Sequence, residues 1–166
     1  LSSELGPRAR TAIASPEAIE EELREADVAI GAALVPGALA PKLVTREMVR
    51  AMPRGAVVVD VSIDQGGCFE TSRPTTHADP VYELEGVLHY CVPNMPGAVP
   101  HTSTYALNRA TLPFVKALAA RGVVEALRSD EHLRNGLTVC RGAVTRREVA
   151  EALGLAFVDP LRALGA

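Results

Sequence analysis

The sequence predicts an α/β fold: a partial, doubly wound, mostly parallel sheet, followed by a helical segment. Three observations carry this. Ala56-Val-Val-Val59 is an unbroken apolar run that ends at Asp60, the pattern of a strand buried on both faces, as parallel strands between helices are. Short apolar segments alternate with capped helical ones as far as Pro100, the order expected of strand-helix-strand units. Beyond Gly122 the strand signals weaken and short capped helices follow one another.

Residues 10–14 read as a first short strand. Ser15-Pro16-Glu17 supplies an N-cap, a proline at the first helical position and an acid in the first turn, so a helix is expected from Pro16 to near Ala26. Ile19 and Leu23 share its apolar face, and Glu20, Glu21 and Glu22 face water. Residues 27–31 form the second strand, and Ala32, Ala33, Leu34 and Val35 run out of its end. Pro36-Gly37 and Pro41 mark a loop. Thr45 caps a helix to about Met52, stopped by Pro53 and Gly55, and the apolar run follows as the third strand.

A loop rich in Gly, Thr, Ser and Pro covers 66–80, and 87–92 is the fourth strand. Thr102, Ser103 or Thr104 caps a long helix that reaches Arg121. Leu107, Thr111, Phe114, Val115 and Leu118 are its apolar stripe, Pro113 should kink it or tighten one turn, and Gly122 stops it. Three further helix starts follow: Ser129-Asp-Glu131, the capping box Thr145-Arg-Arg-Glu148, and Asp159-Pro160.

The chain has 166 residues and a net charge of −3 with acids and bases intermixed. No basic stripe with interleaved aromatics is present, which argues against a nucleic-acid partner. No apolar run approaches the roughly 18 residues of a membrane span, and the opening Leu-Ser-Ser-Glu lacks the order of a signal peptide. Cys68, Cys91 and Cys140 are odd in number, far apart and never in a C-x-x-C pair, which argues against a disulfide framework or zinc site and for a reducing cytoplasm. A chain that begins with Leu rather than Met is expected to be a fragment or a processed product.

Asp64 is the leading chemical candidate, because in open α/β sheets the ligand lies just past the carboxyl ends of the strands. Two readings stay open: a carboxylate that orients a ribose hydroxyl or assists proton transfer, or a loop aspartate bonded to its own turn. Asp60 is expected to hold backbone amides of the loop. Gly66-Gly67 permit a close ligand approach or simply a turn. Arg73-Pro-Thr-Thr-His77 joins a fixed cation, two hydroxyls and an imidazole, suited to an anion or carboxamide but solvated by default. Cys68 is expected to pack rather than attack, His89 to be a satisfied core histidine, His101 to sit at a helix start and His132 on the surface. Asn94 and Met95 follow a strand end and can line a pocket. The phosphate turn G-x-G-x-x-G is absent.

Together these motifs resemble one family. Asp27-Val-Ala-Ile-Gly-Ala-Ala-Leu-Val-Pro-Gly37, Ala40-Pro-Lys-Leu-Val44, Val59-Asp-Val-Ser-Ile-Asp-Gln-Gly-Gly-Cys68, Arg73-Pro-Thr-Thr-His77, Pro93-Asn-Met-Pro-Gly-Ala-Val-Pro100 and Thr102-Ser-Thr-Tyr-Ala-Leu107 closely resemble the carboxyl-terminal half of the L-alanine dehydrogenases. The NAD-binding subunit of proton-translocating nicotinamide nucleotide transhydrogenase shares the Pro-Gly and Ala-Pro-Lys-Leu patterns. It typically lacks an acid before Gln-Gly-Gly and lacks the Arg-Pro-Thr-Thr-His loop, so both features favour alanine dehydrogenase.

The resemblance implies a Rossmann domain that binds NAD, of which 1–100 is the later part, with 101–166 returning to the substrate domain. It implies reversible oxidative deamination of L-alanine to pyruvate and ammonia in a homo-oligomer, a hexamer in the family. Asp64 falls on the active-site aspartate near the nicotinamide ribose and substrate. Ala33 and Leu34 fall on the strand-end pair against the cofactor, Val61, Ser62, Ile63 and Asp64 on the next strand end, and Arg73 on a cofactor-contacting arginine. Val92, Pro93, Asn94 and Met95 fall on the loop beside nicotinamide and substrate, with Asn94 its polar, substrate-side member. The family's adenine-side serine falls at Ala14, so Ser15, one place later, is the candidate for that contact. The catalytic histidine and the substrate-gripping arginine and lysine belong to the family's other half. The competing reading is a non-catalytic NAD-recognition or subunit-association module.

Overall fold

The computed structural model describes residues 6–165. They fall into two compact units, one of residues 6–34 and 39–94, the other of 35–38 and 95–165.

In the first unit, Ser15 caps α1 (Pro16–Leu23) by accepting the Ala18 N–H, and Thr45 caps α2 (Arg46–Arg50) by accepting the Met48 N–H. Both caps are the local hydroxyl signals predicted. Strands β1 (Val28–Gly31), β2 (Val57–Asp60), β3 (Val81–Leu84) and β4 (Val87–Tyr90) form one sheet in the order β1-β2-β4-β3. β1, β2 and β4 run parallel, and β3 joins β4 antiparallel at the edge. The parallel-dominated α/β architecture is thus borne out.

Several expectations give way. Residues 10–14 form no strand among the described residues, and Ile13 is 93% exposed; β1 is an edge strand, and these residues do not pair with its open side. β2 is not fully buried on both faces: Val58 and Asp60 are, whereas Val57 and Val59 are half-buried. The core lies on one face, where Leu23, Met48, Val49 and Met52 meet Val58, Phe69 and Val87, while Val28, Ile30 and Leu88 are exposed. β3 went unpredicted. It closes a hairpin through the two-residue turn Glu85-Gly86, with φ of 55° and 80°, the paired left-handed conformations that a tight hairpin requires.

His89 is a satisfied core histidine. It is fully buried, its Nε2 lies 2.8 Å from Thr71 Oγ1 and its Nδ1 3.0 Å from the Val87 carbonyl. Burial pushes its pKa below the ordinary 6.5, with the Val87 carbonyl and the Asp60 charge opposing. The neutral ring is therefore the folded form. Its contribution is fully present above pH 6.5 and is lost as pH falls toward the depressed folded value, because the unfolded chain takes up the proton first. The urea midpoint should fall on acidification from neutral to about pH 5. The fall should be shallower in His89→Gln; identical slopes would contradict it.

The second unit carries α3 (Pro100–Arg121), α4 (Val123–Ser129), α5 (Glu131–Arg134), α6 (Arg147–Leu153) and α7 (Pro160–Ala163). α3 begins earlier than predicted, at Pro100, whose ring presets the first helical φ. Val99 is its cap residue with no side-chain bond, and the Ser103 hydroxyl donates back to the Pro96 and Val99 carbonyls instead. α3 runs unbroken through Pro113, and none of its stripe is buried within the described residues. Asp130 and Asp159 cap α5 and α7 as expected of those residues. The capping box at Thr145 does not form. Thr145 is buried and donates to the Leu137 carbonyl, because it ends a small hairpin of β5 (Val139–Cys140) and β6 (Ala143–Val144). Arg146 becomes the cap residue and Glu148 pairs with it. No described helix is long and apolar enough to cross a membrane.

Candidate functional site

The carboxyl ends of the three parallel strands gather the predicted site residues of the first unit. Past β1, Ala33 offers its carbonyl to the Ser62 hydroxyl at 2.8 Å. Past β2, Val61–Gln65 forms a 3-10 turn that ends on Gly66 at φ 91°. Past β4, Asn94 adopts φ 54°, a left-handed geometry that asparagine tolerates better than most residues, and its N–H donates to Asp64 Oδ2 at 3.2 Å. Asp64 and Asn94 are thereby paired across 30 residues of sequence. Both are exposed.

Asp60 is the anchor beneath them. Its carboxylate is fully buried and takes four donors: Ser62 N–H at 3.1 Å on one oxygen, and Cys68 N–H at 2.8 Å, Phe69 N–H at 3.4 Å and the Ser72 hydroxyl at 2.5 Å on the other. This is the amide-holding role read from the sequence. Gly67, at φ 78°, lets the chain pass so close that a Cβ there would lie 2.6 Å from Asp60 Oδ2, so the second glycine serves the turn. Lys42 reinforces it from the Ala-Pro-Lys-Leu motif, donating to the carbonyls of Gly66 at 2.6 Å and Phe69 at 3.1 Å. That clamp was missed, although a lysine fixed between Pro41 and an apolar pair was its visible signal.

The remaining candidates divide. Val92 and Ile63 are buried, while Leu34 and Val61 are exposed. Pro93 is half-buried. An apolar cleft of about 210 Å³ opens beside Ala33, lined by Ile30, Leu43, Val44, Cys68 and Phe69. Cys68 is buried there as packing, and Gly31 has no room for a Cβ, which would meet Phe69 at 2.6 Å. The Ser15 hydroxyl is occupied as the α1 cap. Met95 opens the 3-10 turn Met95–Ala98 in the second unit. Arg73 is exposed, with its guanidinium 4.0 Å over the Tyr82 ring. Thr75 and Thr76 use their hydroxyls within the loop, and His77 is exposed.

The family model for alanine dehydrogenase/PNT, C-terminal domain, matches residues 1–147. The chain belongs to this family. It is 58% identical to an alanine dehydrogenase of Halomonas elongata over 95% of its own length and 43% of the relative's. It is 50% identical to one of Mycolicibacterium smegmatis, over 96% of its length and 43% of that protein's. A solved L-alanine dehydrogenase structure matches at a TM-score of 0.77 and 46% identity, covering 92% of this chain and 42% of that one. A transhydrogenase from Sinorhizobium meliloti matches at 0.58 and 29%, over 69% and 32%. The likeness is therefore to the alanine dehydrogenase branch, as the Asp64 and Arg73 motifs anticipated, and the chain spans less than half the length of the curated relatives it matches.

Proposed function

We propose that this chain is the carboxyl-terminal, NAD-binding part of an enzyme that interconverts L-alanine, NAD and water with pyruvate, ammonia and NADH. The observation that carries the reading is the Asp64–Asn94 pair at the mouth of three parallel strands, where α/β sheets take their ligands. The donor set fits a dinucleotide: an exposed carboxylate for a ribose hydroxyl, an arginine for a charged or amide group, and an apolar cleft between α1 and β1 that reaches the β1 end. Ala33, Leu34, residues 61–64, Arg73 and residues 92–95 would hold it, with Ser15 the adenine-side candidate, and the bound nicotinamide would supply the hydride acceptor. Residues 1–100 would then complete the cofactor domain and 101–166 return to the substrate domain.

Each residue has a physical task in that scheme. Asp64, fixed by the Asn94 amide, presents a set charge where charge develops. Ile63 and Val92 exclude water behind the reacting face, which strengthens every nearby electrostatic interaction. Asn94 would be the polar group on the substrate side, with its backbone N–H already engaged by Asp64. We also propose a cytoplasmic homo-oligomer. Three free cysteines suit a reducing compartment.

The test is NADH formation from L-alanine and NAD. It is measured on the 166-residue chain and after mixing it with the amino-terminal portion of the Halomonas elongata relative. The chain alone should be inactive and the mixture active. Turnover by the chain alone would overturn the division of labour. Stable assembly that binds NADH without turnover would favour the non-catalytic module.

A further inference from the structure

Arg73 is exposed and stands in a loop, yet it is not loosely held. Its own N–H donates to the Tyr82 hydroxyl at 3.0 Å, and that hydroxyl donates to the Thr71 carbonyl at 2.8 Å. Its guanidinium carbon lies 4.0 Å from the centroid of the same ring. The ring in turn stacks on His89, with centroids 4.9 Å apart and planes inclined by 16°. Tyr82 and His89 are directly opposed across β3 and β4. His89 closes the loop by reaching Thr71 Oγ1, while the residue between, Ser72, is tied to Asp60. Three consecutive residues, Thr71, Ser72 and Arg73, are thus each fixed to the sheet through side chains that are themselves held. Tyr82 makes two of those attachments and also bears the cation.

We propose that Tyr82 is a positioning residue for Arg73: it sets both the backbone and the guanidinium direction of the arginine that engages the anionic or carboxamide part of the dinucleotide, a step that rests on the cofactor role proposed for Arg73. The chemistry suits the task. A guanidinium stacks on an aromatic face by cation–π attraction and keeps its edge donors free for a ligand. A long exposed side chain otherwise loses rotamer freedom on binding, and a preset one loses less. Burial pushes the Tyr82 phenol up to about 12, so the hydroxyl stays protonated, able to donate to Thr71 while accepting from Arg73.

Two measurements test this, the first without cofactor. In the full chain, Tyr82→Phe keeps the ring and removes the hydroxyl, and with it both the acceptor of the Arg73 N–H and the donor to the Thr71 carbonyl, so hydrogen exchange at the Arg73 amide should accelerate; unchanged exchange would overturn the clamp. The second is NADH affinity, by fluorescence titration of the active mixture. Arg73→Ala should weaken it about tenfold, the size of one charge-assisted hydrogen bond. Tyr82→Leu should approach that loss, Tyr82→Phe should keep most of the affinity, and adding Tyr82→Leu to Arg73→Ala should change little further. Full additivity, or wild-type affinity in Tyr82→Leu beside a weakened Arg73→Ala, would overturn the positioning role. No loss in Arg73→Ala would instead overturn the cofactor role of Arg73, with the exchange result still reporting the clamp. Should Tyr82→Leu fail to fold, the amide exchange of Tyr82→Phe decides.

Discussion

Asp60→Ala is expected to cost about 4 kcal/mol of stability, a large share of the 5–15 kcal/mol typical of a domain. The carboxylate is fully buried and answers three backbone amides and one hydroxyl. Alanine would leave those donors facing one another without an acceptor, and each buried donor left unpaired costs roughly 1–3 kcal/mol. Some of that is recovered if the turn opens to water, which holds the estimate below the full sum. The urea midpoint should fall sharply with little change in slope, and the melting temperature should drop by roughly 10 °C. Asp60→Asn is the sharper probe. It preserves volume but replaces one acceptor by an amide that points donors at donors, so it should lose nearly as much as alanine. A stability within about 1 kcal/mol of the parent in both variants would show that the turn is held by Lys42 and packing rather than by this carboxylate.

The parts of this fold that were legible in sequence are those with local causes. Ser15, Thr45, Asp130 and Asp159 each cap the helix beside them, because a short hydroxyl or carboxylate reaches an N–H two or three residues on. β2 was legible from its apolar run, and Asp60 from its place at the end of that run. What escaped depends on partners distant in sequence. β3 holds Glu83 between Tyr82 and Leu84, a polar-broken run after a proline-rich loop, and becomes a strand only because Tyr82 meets His89 across the hairpin. Residues 10–14 show the converse, with strand character but no pairing to the open edge of β1 among the described residues. Thr145 looked like a cap and was claimed by the Leu137 carbonyl. The candidate site follows the same division. Asp64 and Asn94 were each readable as strand-end polar residues, whereas their mutual bond was not, since it depends on which strands are neighbours and in what register β2 pairs with β4.

Asp64→Ala should leave the fold nearly intact and, in the active mixture, lower kcat by about 10²–10³, the range for removing one preorganised charge or donor at a reacting centre. The carboxylates of Asp60 and Asp64 lie four positions apart, yet one is fully buried with four donors and the other is exposed with one. Losing a single exposed bond costs under about 1 kcal/mol, so a large kinetic effect cannot be an unfolding effect, and the melting temperature measured beside kcat will separate them. Asp64→Asn decides what the group does. It keeps an oxygen for the Asn94 N–H and so preserves the link between the two strand ends, while removing the charge. If the charge acts on the reaction, asparagine should be nearly as slow as alanine and the NADH affinity should move far less than kcat. Parental turnover in Asp64→Asn would mean that the carboxylate only ties one loop to the next, and the chemistry would have to be sought in residues outside these strand ends.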